Sequence, residues 1–292
     1  MSMLIRKTYA ISLMLLASCA GVNNQNGQMG NTDTLAGLQA MANSSKPSIN
    51  GDPKANNKFR EIALQETALS LGAQAGLAAR AKTIDDQLVK ETRNLDTIYD
   101  FKALLLDNNV LPPVLVEGRN TFNMANLQTI RASDRTYKVI RQAHFVTTPP
   151  GWRQYLWMDY TKPDIPHVSL LPKTKEEKKI WYAYVEKGWQ QGMDQANTIL
   201  EENIARIKED YIGMILYRKL LAMNMVSAPY VSHTDLGITG DGNEIHIDDK
   251  VLRITALPAL NTNSTEWRAA IEKNEQRLEH LNKLEENIKL SE

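Results

Sequence analysis

TKEEKKIWYAYVEKGWQQGMDQANTILEENIARIKEDYIGMILYRKLLAMNM, residues 174–225, is the longest periodic stretch of the chain. Ile180, Tyr184, Ile199, Ile207, Tyr211, Met214, Ile215 and Leu221 recur along it at helical intervals, the pattern of an apolar stripe on an α-helix. Thr174 and Glu177 have the spacing of a capping box, in which each residue satisfies a backbone donor that the first helical turn leaves free. About fifty unbroken helical residues would reach about 75 Å. Glycine weakens a helix interior, so a kink is expected between Gly188 and Gly192. Pro229 marks the end of the segment.

Outward from this helix the chain alternates helical and β patterns. Phe59, Ile62, Ala63, Leu69, Leu77, Ile84, Leu88, Leu95, Ile98 and Leu105 predict one or two helices over 58–107, ended by Asn108-Asn109. Gly72, Ala73, Gly76, Ala79 and Ala81 would let another helix approach closely, within this protein's own core or on a partner. Val110 to Val116 reads as an edge or strand start, because Pro112-Pro113 cannot donate to a ladder. Leu127–Arg131 and Thr136–Val146 read as strands joined at Ser133-Asp134. Tyr230–Thr239 and Asn243–Thr255 alternate well, and Gly240-Asp241-Gly242-Asn243 between them is a strong hairpin turn. Trp267, Ile271, Leu278, Leu281, Leu284 and Ile288 mark an amphipathic tail helix over 266–292, with Asn263 as its cap. The fold class is α+β: small antiparallel β elements packed with long helices, forming a core domain over 58–265.

The N-terminus is organised differently. Arg6 and Lys7 precede a short apolar run, Ala10–Leu16, and then Leu16-Ala17-Ser18-Cys19. A membrane span needs about 20 apolar residues, so this run is too short to be one. It has the layout of a secretory signal peptide over 1–18. Leu-Ala-Ser-Cys resembles the lipobox of bacterial lipoproteins. That resemblance implies cleavage before Cys19 and acylation of it, and Ala20 in the next position favours the outer membrane, on its periplasmic face. Residues 19–57 are rich in Asn, Gln, Ser, Thr and Gly and read as a flexible tether, stretching to more than about 100 Å. A short helix near Leu35–Met41 is the one candidate within it for docking onto a partner.

The composition excludes several functions. The 292 residues carry 34 Lys and Arg against 34 Asp and Glu, no footprint for nucleic acid. Loss of Arg6 and Lys7 with the signal leaves a net charge of about −2, so attachment to a membrane rests on acyl chains. The single cysteine rules out an internal disulfide, a CxxC redox pair and a cysteine-based zinc site. His144, His167, His233, His246 and His280 are scattered; His233 and His246 alone could meet across a hairpin. No cofactor motif is present. Glu117 after Val114-Leu115-Val116 is the one candidate for a raised-pKa general acid of a cell-wall hydrolase, and the alternative is an ion pair with Arg119. Trp152, Arg153, Tyr155 and Trp157 form a dense aromatic run that is either a buried core cluster or an interface anchor, and they are the candidate interface residues.

Five runs together identify a family. LPPVLVEGRNT (111–121), TIRASDRTYKVI (129–140), PPGWRQYLW (149–157), YVEKGWQQGMDQA (184–196) and MVSAPYVSHTDLGITGDGNE (225–244) resemble the DotC lipoproteins of type IVB secretion systems. The likeness extends from about residue 59 to about 268. It implies a structural, non-enzymatic role in the envelope-spanning core complex, present in several copies in a ring. It also implies work with a DotD-like lipoprotein to bring a DotH-like component to the outer membrane. The rival expectation is a lipid-anchored periplasmic enzyme.

Overall fold

In chain order the elements are α1 (Leu35–Ala40), α2 (Asn57–Lys90), α3 (Thr92–Ile98), β1 (Val110–Leu111), β2 (Val114–Asn126), β3 (Thr129–Arg141), β4 (His144–Phe145), α4 (Trp152–Leu156), α5 (Lys175–Ala222), β5 (Tyr230–Gly240), β6 (Ile245–Ala256) and α6 (Glu272–Lys289). The structure is a computed structural model and describes residues 32–43, 57–267 and 272–289. Cys19, the signal peptide and most of the expected tether lie outside the described residues. The class is α+β, with three separate two-stranded antiparallel sheets pairing β1 with β4, β2 with β3 and β5 with β6.

The longest helix begins and ends on local chemistry. The Thr174 hydroxyl accepts from the Glu177 amide at 3.1 Å, and the Glu177 carboxylate accepts from the Lys173 amide at 2.6 Å. At the other end Met225 N–H donates to Leu220 O at 2.9 Å and Asn224 N–H donates to Leu221 O at 3.1 Å. With Asn224 left-handed at φ 58°, this is a Schellman cap that satisfies the last carbonyls. Between the caps α5 runs 48 residues, about 72 Å.

The helix continues unbroken through Gly188–Gly192, where the sequence predicts a kink, and the glycines there serve packing. A Cβ on Gly188 would lie 2.2 Å from Leu69 O, and one on Gly192 would lie 2.0 Å from Ala73 O. Reciprocally, a Cβ on Gly72 would lie 2.4 Å from Val185 O, and one on Gly76 2.3 Å from Trp189 O. The four glycines bring the backbones of α2 and α5 into direct contact. Arg60 bonds Glu177 and Arg80 bonds Asn197, so partners advance together and the two helices run parallel. The small residues of α2 therefore serve this protein's own core.

Two apolar clusters flank the seam. Near the start of α5, Trp181 and Val185 pack with Leu64, Ala68 and Leu71 of α2 and with Leu38, Met41 and Ala42. The Trp181 indole donates to Leu38 O at 3.0 Å. The segment around α1, read as part of the tether, is thus seated on the body. The second cluster joins Phe101, Leu104, Trp152, Leu156, Tyr211 and Met214 to Leu281, Leu284 and Ile288 of α6. The tail helix packs on its own core, aided by an ion pair between Lys219 and Glu285.

Two boundaries differ from expectation. The turn between β2 and β3 falls at 126–129, where Asn126 Oδ1 accepts from the Gln128 amide at 3.0 Å in an Asx turn. Ser133 and Asp134 are mid-strand, Ser133 lying opposite Thr121. The described tail helix is Glu272–Lys289, which leaves Trp267 before it. Asn263 instead caps a short 3-10 turn, Ser264–Glu266, by accepting from the Thr265 amide at 3.3 Å.

Candidate interaction surfaces

The aromatic run of 152–157 divides between inside and outside. Trp152 is 1% exposed, and its indole donates to Asp96 Oδ1 at 2.6 Å. Arg153 covers the Trp152 ring at 4.3 Å and reaches the same carboxylate at 3.3 Å. Tyr155 stacks on Phe101 with ring centroids 5.7 Å apart, and Phe101 meets Tyr211 edge-on at 5.0 Å. Trp157 is 43% exposed. Of the four candidate interface residues, Trp152 is core, Tyr155 is half-buried, and Arg153 and Trp157 face solvent.

Beneath this run lies an acid that sequence reasoning missed. Asp210 of α5 is buried, accepts from the Tyr155 hydroxyl at 2.8 Å, and pairs with the Arg141 guanidinium at the end of β3. Burial pushes the Tyr155 hydroxyl pKa up, against the pull of Arg141 and Arg206, so the proton it donates stays on it. Asp210 thereby ties α4, α5 and β3 together at one point. The signal was available: Asp210 lies three residues after Ile207 and four before Met214, on the apolar stripe. A cavity of about 240 Å³ opens beside it, with Leu111, His144 and Met214 among its walls. The charged groups there are already engaged with one another.

Two hairpins project from the C-terminal third of α5. The first, β2–β3, is rooted where Val114 and Leu115 press onto Gly213; a Cβ there would lie 2.4 Å from Val114 Cγ1. Leu115 is buried against Tyr217 and Leu220. The second, β5–β6, is stapled at its base by Ser227 N–H to Ala259 O at 2.9 Å, and by the Tyr217 hydroxyl donating to Ser227 O at 3.2 Å. Beyond these roots the strands are mostly exposed on both faces. Large apolar side chains stand in solvent, among them Phe122, Met124, Leu127 (89% exposed) and Ile130 on the first arm, and Ile238, Ile245 and Ile247 (74% exposed) on the second.

The remaining candidates lie on these arms. Glu117 sits within β2, not at a strand end, opposite Tyr137 and ion-paired to Arg119 at 3.3 Å and Arg135 at 3.8 Å. His233 lies opposite Leu252 and His246 opposite Thr239, so the two histidines are not cross-strand partners. Asp241 Oδ1 accepts from the Asn243 and Glu244 amides at 2.8 and 3.1 Å, which commits it to the turn. Among the described residues no helix is long and apolar enough to cross a membrane.

The chain matches the family model described as "Type IV secretory system, conjugal DNA-protein transfer" over residues 58–269, and it belongs to that family. No curated protein matches it. The matched span begins within the first turn of α2 and covers both arms.

Proposed function

We propose that the chain is a DotC-type lipoprotein, anchored through Cys19 to the outer membrane and facing the periplasm. There it acts as a structural subunit of a type IVB secretion or conjugation core complex, with DotD-like and DotH-like components as its partners. The single observation that carries this reading is the family match over residues 58–269, joined to the lipobox resemblance before it. The proposed role is structural and non-enzymatic, a reading supported by Glu117, the one acid singled out for catalysis, being ion-paired to Arg119 and Arg135 on a projecting strand.

Docking of α1 shortens the anchor. Thr32 is already buried on the body, thirteen residues after Cys19. A chain of that length spans at most about 45 Å, so the acyl chains hold the body close beneath the membrane. Substituting Cys19→Ser tests the reading. Loss of outer-membrane fractionation, together with loss of the DotD-like and DotH-like proteins from cross-linked purifications, is the expected result. Unchanged outer-membrane fractionation would overturn the anchor, and purifications without other secretion components would overturn the assembly role.

A further inference from the structure

We propose that the two arms are complementary halves of one contact, so that the β2–β3 arm of one copy docks on the β5–β6 arm of the next copy of this chain. The inference deepens the assembly reading above and rests on it.

Three observations carry it. The first is charge. Residues 114–141 hold five basic side chains against two acidic ones, whereas residues 230–256 hold five acidic side chains against two basic ones. Arg141 is spent on Asp210 and Glu209 at the root, which still leaves the first arm positive by two against a second arm negative by three. In a chain with equal totals of acid and base, this separation onto two projecting elements is a local arrangement and not a bulk property. Opposed patches of this kind steer encounter and fix register between partners.

The second observation is apolar surface. Phe122, Met124 and Ile130 share the tip of the basic arm, with Met124 directly opposite Ile130. Ile238, Ile245 and Ile247 share the outer half of the acidic arm. Side chains this large, clustered and bare, mark a surface that a partner covers. The third is architectural. A two-stranded hairpin on its own is marginal in water and gains stability from further strands or a packed face. Both arms extend well past their roots on α5, and each has a face and two edges to offer the other.

A contact between two different surfaces of identical subunits is heterologous. It repeats from copy to copy and closes into a ring where the rotation allows. The occupant is therefore a second copy, engaged through the opposite arm, and the apolar tips meet inside a frame of opposite charges.

The test uses the full chain carrying either of two tags, co-expressed in a host without the secretion machine and solubilised in detergent. The expected result is co-purification of the second tag at low salt, weakened at high salt as screening grows. A photo-reactive amino acid in place of Ile130 should cross-link into residues 230–256 of the other copy. Arg131→Glu with Lys138→Glu makes both arms acidic, and Asp235→Lys with Glu244→Lys makes both basic. Each double variant should capture its own kind at least about tenfold less than the unchanged chain. Mixing the two should restore capture, since every contact is then again between opposite charges, and that rescue shows that both variants fold. Absence of co-purification by the unchanged chain, capture unaffected by the swaps, failure of the mixed pair to recover, or cross-links falling only outside 230–256 would each overturn the proposal. A chain that fails here but still fractionates through Cys19 with other secretion components leaves the proposed function standing without this contact.

Discussion

The seam between α2 and α5 and the pair of hairpin arms sit on the same long helix and follow opposite rules. Along the seam, Gly72, Gly76, Gly188 and Gly192 remove side chains so that backbone can touch backbone. Along the arms, side chains as large as Phe122 and Ile247 stand in solvent. The seam is complete within one chain, since each glycine faces the partner helix and the flanking Trp181 and Val185 are buried. The arms are complete only in their backbone ladders. Residues of the seam are thus answerable to folding, and residues of the arms, on the contact proposed above, to association.

One substitution made in both regions separates them most sharply. Gly192→Ala places a methyl 2.0 Å from the Ala73 carbonyl oxygen, and neither helix backbone can yield without opening the seam. The expected cost is about 3 kcal/mol or more, the upper range of overpacking. Gly242→Ala, at the tip of the second arm, meets nothing within 4 Å and has no left-handed backbone to strain. Its effect is expected within about 0.5 kcal/mol. Chaotrope unfolding of the two variants measures both. Equal midpoints would show that the helices can part without penalty and would erase the distinction between the regions.

The aromatic run sharpens the comparison at the next level. Trp152→Ala deletes a fully buried indole and leaves Asp96 with Arg153 as its remaining side-chain donor, at an expected cost of about 3–5 kcal/mol. Trp157→Ala removes a side chain that is nearly half exposed and is expected to change stability by about 0.5 kcal/mol. Thermal unfolding checks the pair. If the two cost the same, the division of this run into a core half and a surface half is wrong.

How legible these features were depends on whether their cause is local. Thr174 with Glu177, and Gly240-Asp241-Gly242-Asn243, act within a few residues, and both stand where their spacing put them. Asn126-Leu127-Gln128-Thr129 is hard to read as a turn because its chemistry is one Asx side chain without a glycine, whereas Ser133-Asp134 carries a more familiar turn composition and yet pairs in the ladder. Gly188 and Gly192 weaken a helix by the same local amount whether they bend it or admit a neighbour, and only the presence of α2 decides. Asp210 was hidden in the same way: on the stripe it is a charge out of place, and its partners Arg141 and Tyr155 come from other elements 69 and 55 residues away.

A third comparison tests whether the seam is closed at its end by charge or by shape. Arg60 spans α2, the crossover and α5: its guanidinium donates to Glu177 Oε1 at 2.7 Å, Glu177 Oε2 at 3.1 Å, Ser169 O at 3.0 Å and Leu171 O at 3.2 Å. Burial alone would raise the Glu177 carboxyl, but Arg60 and the amides of Lys173 and Thr174 outweigh it and hold the group below its ordinary 4.5. A carboxyl lowered in the folded state gives stability that is complete above the unfolded value and is lost as pH falls through the folded one. Glu177→Gln should therefore cost about 1–2 kcal/mol at neutral pH, discounted because Arg60 is about a third exposed. The gap to the unchanged chain should narrow as the pH falls through the lowered folded value of Glu177, since protonation then leaves the unchanged chain neutral at this position, as the glutamine variant already is. A gap that stays constant over that range would mean that the clamp works through the geometry of its backbone bonds, and that the seam needs no ion pair to hold its end shut.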